Sequence, residues 1–73
     1  MQSTNHRTEL VKFGQRLREL RTAKGFSQEM LAFSSGLDRS YVGGVERGQR
    51  NVSLVNIFKL ATALDIEPWE LFS

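Results

Sequence analysis

Between Gln28 and Arg47, four positions of special stereochemistry stand at fixed offsets, and they constrain this 73-residue chain more than any other feature. With Gln28 counted as the first position, Ala32 is the fifth, Gly36 the ninth, Val42 the fifteenth and Val45 the eighteenth. A residue as small as Ala32 lets two helices cross closely. Glycine at position 36 reaches the positive φ of a tight turn without steric cost. The β-branched Val42 and Val45 anchor a second helix to a core, and Leu31 and Leu37 flank the turn with apolar side chains. The segment predicts two short helices packed across a tight turn.

The rest of the chain follows the helical period, and no segment alternates as a strand does. Residues 1–7 are polar and aperiodic and are expected to form a flexible tail, leaving 8–73 as one domain. Thr8 can cap a first helix, in which Leu10, Phe13, Leu17 and Leu20 recur at three- and four-residue steps as one apolar stripe. Gly25 suits the left-handed stop of that helix, with Lys24 at its negative end. Ser27 caps a second helix from Gln28 to about Ser34, and Asp38 a third to about Arg47. After a loop at 48–52, Ser53 caps a fourth helix whose Leu54, Ile57, Leu60, Ala61 and Leu64 are expected to face inward. Pro68 opens a short fifth helix ending at Phe72, because proline lacks only an amide that would be orphaned there. The expected fold is all-α, a compact bundle of five short helices in which the second and third form a helix-turn-helix.

The third helix has two unlike faces. Tyr41, Val42, Val45 and Glu46 share one arc, while Arg39, Ser40, Gly43, Gly44 and Arg47 share the other. Two guanidiniums, a hydroxyl and two bare glycine positions on one exposed face suit a helix lying in a major groove, where Arg bonds guanine bidentately. Arg39, Ser40, Gly43 and Arg47 are the expected base-contacting residues. Each glycine costs roughly 1 kcal/mol relative to Ala inside a helix, and close approach to DNA would offset it. Gln28 stands at the positive end of the second helix, where a phosphate is favoured. Arg50 and Asn51 follow the third helix, and Tyr41 can reach a phosphate with its hydroxyl. These four are the expected backbone contacts. Arg21 and Glu46 lie where the first helix meets the end of the third and are expected to form a structural ion pair.

Charge is distributed in keeping with this face. Residues 1–50 carry nine Lys/Arg against five Asp/Glu, net +4, whereas Lys59 is outweighed by Asp65, Glu67 and Glu70 over 51–73. A basic front and an acidic rear suit a protein that meets a polyanion with one end. The absence of cysteine removes disulfides and thiolate metal sites, and with His6 as the sole histidine the chain lacks ligands and bases for an enzyme. No cofactor, metal or small-molecule ligand is expected. No apolar run reaches the roughly 18 residues of a membrane span, and no secretory pattern opens the chain, so a cytoplasmic location is expected. Val55 and Phe58 form a second apolar line on the fourth helix. With Ile66 and Trp69 they make an expected two-fold interface near the carboxyl end.

The run Phe13–Phe72 resembles the lambda-repressor-like (Cro/C1, XRE-type) helix-turn-helix domains. Within it, Leu37-Asp-Arg-Ser-Tyr at the opening and Glu46-Arg-Gly-Gln-Arg-Asn51 at the close are similar to the controller proteins of restriction–modification systems. That resemblance implies a homodimer on palindromic operators, activating transcription at low occupancy and repressing it at high. It assigns base contacts to Arg39 and Ser40 and backbone contacts to Gln28, Tyr41, Arg50 and Asn51, and it supports the Arg21–Glu46 pair. The implied partners are an operator duplex and a second copy, with RNA polymerase a further candidate. A phage-type repressor or an antitoxin-type autoregulator fits the same residues. A protein-interaction module without DNA is the rival of a different class.

Overall fold

Helix formation starts at Arg7, with His6 at the N-cap position and its carbonyl accepting from the Leu10 amide at 3.1 Å. The structure, a computed structural model, describes residues 6–73. Most of the tail expected at 1–7 lies outside the described residues. Its last residue, Arg7, is already helical, and Thr8 therefore sits inside the helix and does not cap it. Helix α1 (Arg7–Ala23) ends where expected, with Gly25 at φ +81°.

Three further α-helices follow, α2 (Gln28–Ser35), α3 (Arg39–Glu46) and α4 (Leu54–Leu64). The Ser27 and Ser53 hydroxyls accept from the amides of Met30 and Asn56 at 3.0 and 3.1 Å, capping α2 and α4. Asp38 occupies the N-cap of α3 without a side-chain bond. The fifth expected helix is a single 3-10 turn, Pro68–Phe72, so the described residues hold four α-helices and this turn. Five residues close with an i to i+3 bond, from the Glu70 amide to the Glu67 carbonyl, more readily than with a full α ladder. Reciprocal bonds between the side chains and backbones of Glu67 and Glu70 fix its start.

Leu17, Leu31, Val42, Leu60, Leu64 and Leu71 are fully buried, with Ala32, Val45 and Ala61 among them, so every helix and the 3-10 turn contribute to one core. The Arg16 guanidinium donates to the Glu70 carbonyl at 2.8 Å and the Phe13 and Phe72 rings lie 5.4 Å apart, fastening the 3-10 turn to α1. Leu54 departs from its expected inward position and is 71% exposed. It stands in the first turn of α4, on the rim of a groove against the end of α2. No helix among the described residues is long and apolar enough to cross a membrane.

The contact that sets the height of α3 is one the apolar pattern does not reveal. A Cβ on Gly14 of α1 would strike the Val45 carbonyl and lie 2.6 Å from the Glu46 carbonyl oxygen. Backbone cannot yield there as a flexible side chain could, so α1 and the end of α3 pack at the distance glycine permits. Gly14→Ala is expected to lower stability by about 1–3 kcal/mol through overpacking. A thermal melt equal to that of the unsubstituted protein would refute this close packing.

Candidate nucleic-acid interface

The site is built on the α2–α3 crossing. Ala32, 4% exposed, lies at that crossing, and Gly36 turns the chain at φ +73°. The Leu37 amide then bonds the Ala32 carbonyl at 3.0 Å, closing the end of α2. Val42 and Val45 pin the inner face of α3 to the core. The opposite side of its first turn consequently points outward, and Arg39 and Ser40 are exposed there.

The far end of α3 is held by charge. Arg21 Nε and Nη2 donate to the two Glu46 carboxylate oxygens at 2.6 and 3.0 Å, a bidentate pair with the Glu46 side chain 3% exposed. Arg21 Nη1 donates to the Phe26 carbonyl at 2.8 Å, and Gln28 Nε2 donates to Glu46 at 2.9 Å. The bond to Glu46 raises the Arg21 pKa above its ordinary value, although burial opposes it, so the guanidinium stays charged. No buried side-chain nitrogen or oxygen among the described residues lacks a partner. Gln28, expected to meet a phosphate, is thus tied in part to the ion pair beneath α3.

Around this frame the remaining expected residues fall into two groups. Arg47, Arg50 and Asn51 are exposed, on the carboxyl side of α3. Arg47 Nε donates to Gln49 Oε1 at 3.2 Å. The Arg50 guanidinium carbon sits 5.6 Å from the centroid of the Tyr41 ring. Tyr41 is half-buried, and its hydroxyl accepts from Asn56 Nδ2 of α4 at 3.1 Å. Gly43 and Gly44 correct the sequence reading. They are not bare: both are buried, Gly43 beneath Arg47 and Gln28 and Gly44 beneath Arg50. A helical projection places the glycines outward but cannot show where long neighbouring side chains come to rest. Asn56, which holds the Tyr41 hydroxyl, is likewise not marked by the helical pattern. The available signal was a polar residue one turn before the buried Leu60, on an otherwise apolar stripe.

On α4, Leu54, Val55 and Phe58 are 71%, 62% and 52% exposed and border the α2–α4 groove with Ser34 and Lys59. Trp69 is 68% exposed, whereas Ile66 is half-buried and packs on the core. No group of three or more His, Asp or Glu side chains comes together among the described residues.

Two short helices crossing at a small residue, a left-handed glycine between them and a second helix presenting its first turn to solvent define a helix-turn-helix domain. A family model described as Helix-turn-helix matches residues 17–71. The chain is 50% identical over 60 residues to Control protein C.BamHI of Bacillus amyloliquefaciens, covering 81% of this chain and 74% of that protein. Among solved structures, the restriction-modification controller protein C.AhdI from Aeromonas hydrophila matches with a TM-score of 0.88 and 89% identity, over 89% of this chain and 98% of that one. The C.Esp1396I controller tetramer in complex with its natural 35 base-pair operator matches with a TM-score of 0.79 and 33% identity, over 86% of this chain and 83% of that one. The chain belongs to the helix-turn-helix family and, within it, to the restriction–modification control proteins.

Proposed function

We propose that the protein is a sequence-specific DNA-binding transcriptional regulator, the controller of a restriction–modification system, acting on a palindromic operator as a homodimer. The observation that carries this reading is the exposed first turn of α3, with Arg39 and Ser40 held outward by Val42 and Val45 below and by the Glu46–Arg21 pair at the far end. Arg39 presents a fork of donors suited to guanine, and Ser40 can donate or accept. Arg47, Arg50 and Asn51 flank them as contacts to the adjoining base edge and backbone, with Tyr41 and the amino end of α2 at Gln28 beside the phosphates. The C.Esp1396I tetramer bound to its operator supports carrying DNA binding over to this chain.

The exposed apolar line on α4 supports the dimer. Val55 and Phe58, with Leu54 beside them on α4, present exposed apolar side chains to an identical surface, and the exposed Trp69 and the half-buried Ile66 are the carboxyl-end residues proposed to join them. A two-fold axis there sets two α3 helices about one turn of duplex apart, roughly 34 Å, which makes 8–73 one reading unit with dimerisation at its carboxyl end. Low occupancy of the operator activates and high occupancy represses, and RNA polymerase is the partner that activation requires.

The reading is tested by footprinting the DNA upstream of the protein's own gene. A protected, two-fold symmetric site supports it, and protection no stronger than on random DNA overturns it. For the dimer, Phe58→Glu is expected to shift sedimentation from dimer to monomer at concentrations where the unsubstituted protein is dimeric. An unchanged profile places the interface elsewhere.

A further inference from the structure

We infer that Gly43 and Gly44 are positioning residues: they are the seats on which Arg47 and Arg50 lie against α3, and their role is not to bring bare backbone up to DNA. The inference rests on α3 being the groove-facing helix. Gly43 and Gly44 each follow Arg39 and Ser40 by four residues, so they continue the same two columns of the helix surface. They are nonetheless buried, and what covers them is not core. A Cβ at position 43 would lie 3.1 Å from Arg47 Nη1 and 3.6 Å from Gln28 Oε1. At position 44 it would lie 3.1 Å from Arg50 Cγ and 3.3 Å from its Nε.

Arg50 shows how such a seat works. Its stem crosses α3 at Gly44, and its guanidinium comes to rest over the Tyr41 ring, whose hydroxyl is fixed by Asn56. A charge that starts from the loop after α3 is thereby brought back along the helix to Gly44 and the Tyr41 ring. Arg47 is held in a matching way, over Gly43 and bonded to Gln49. Long arginine side chains lose rotamer freedom when they grip a ligand. Seating them in the free protein removes part of that loss and aims both guanidiniums at the phosphates and base edges beside those met by Arg39 and Ser40. Alanine favours a helix more than glycine does, so a tandem glycine in α3 is a local cost that seating two arginines explains.

The test is a pair of double-mutant cycles read by fluorescence anisotropy on a duplex that the unsubstituted protein has selected from a random pool. Gly44→Ala is expected to weaken binding about tenfold when Arg50 is present and to cause no further loss in an Arg50→Ala background. Gly43→Ala is expected to behave in the same way with Arg47→Ala. Loss of equal size in both backgrounds would show that the glycine itself meets DNA and would overturn the proposal, as would alanine variants that bind like the unsubstituted protein. The free protein supplies a second readout, independent of DNA. The Arg50 side-chain resonances should carry a ring-current shift from Tyr41 that Gly44→Ala abolishes, and absence of that shift in the unsubstituted protein also overturns the seat. Full operator discrimination by Arg39→Ala would instead overturn the reading of α3, and the ring-current result would still decide the seat.

Discussion

Replacing Glu46 with Ala is expected to remove about 3–5 kcal/mol of folding stability, because one charge of a buried pair is left without its partner. Glu46 accepts two bonds from Arg21 and one from Gln28, and its side chain is 3% exposed. In the alanine variant the Arg21 guanidinium keeps its charge and one bond to the Phe26 carbonyl. It must then either stay buried and half-satisfied or draw water into the α1–α3 contact. Domains of this size hold only about 5–15 kcal/mol in total, and each kilocalorie corresponds to roughly 4–8 °C in Tm. The variant should therefore melt tens of degrees lower or fail to fold at all. A double replacement, Arg21→Met with Glu46→Leu, is expected to recover most of the loss, since a packed apolar pair avoids the desolvation of both charges. A melt of Glu46→Ala within a few degrees of the unsubstituted protein would show that the pair holds little.

The same pair shows what sequence alone conveys. Arg21 and Glu46 can be matched from the chain because each falls at the end of a helix whose apolar stripe fixes which way it faces. Ala32, Gly36, Val42 and Val45 are legible for a related reason: the crossing and its turn impose demands that few residue types meet. What the chain conceals depends on neighbours rather than on spacing. Gly14 reads as an unremarked residue in α1, and only the angle at which α1 meets the carbonyls of Val45 and Glu46 gives it a purpose. Gly43 and Gly44 read as bare backbone, because a helical projection fixes the direction of a Cα but not the path of an arginine arriving from a loop. Leu54 reads as core, because the stripe of α4 continues past the point where α2 stops covering it. The last helix reads as α, because Pro68 marks where a helix starts and not how its carbonyls will be shared.

Arg39→Ala is the substitution expected to change function most. Arg39 opens α3, is exposed, and stands one turn before the Gly43 seat. A bidentate contact between arginine and guanine is worth about 1–3 kcal/mol of discrimination. The proposed two-fold dimer would make the contact twice, so a symmetric site should lose about 2–6 kcal/mol, beyond a hundredfold at the middle of that range. The loss should fall on the specific site alone. A phosphate contact, by contrast, weakens binding to every duplex alike. Stability should be nearly untouched, since Arg39 is exposed, the neighbouring N-cap Asp38 makes no side-chain bond to be lost, and such surface substitutions change stability by about 0.5 kcal/mol or less.

The most direct test is therefore a competition titration of the unsubstituted protein and Arg39→Ala on the selected duplex and on a scrambled duplex of the same length and composition, at one salt concentration. The expected result is tight, two-fold symmetric preference by the unsubstituted protein, and for Arg39→Ala an affinity on the selected duplex that collapses to its affinity on the scrambled one. If the unsubstituted protein bound both duplexes equally, or if Arg39→Ala kept the full preference, α3 would not be the element that reads sequence.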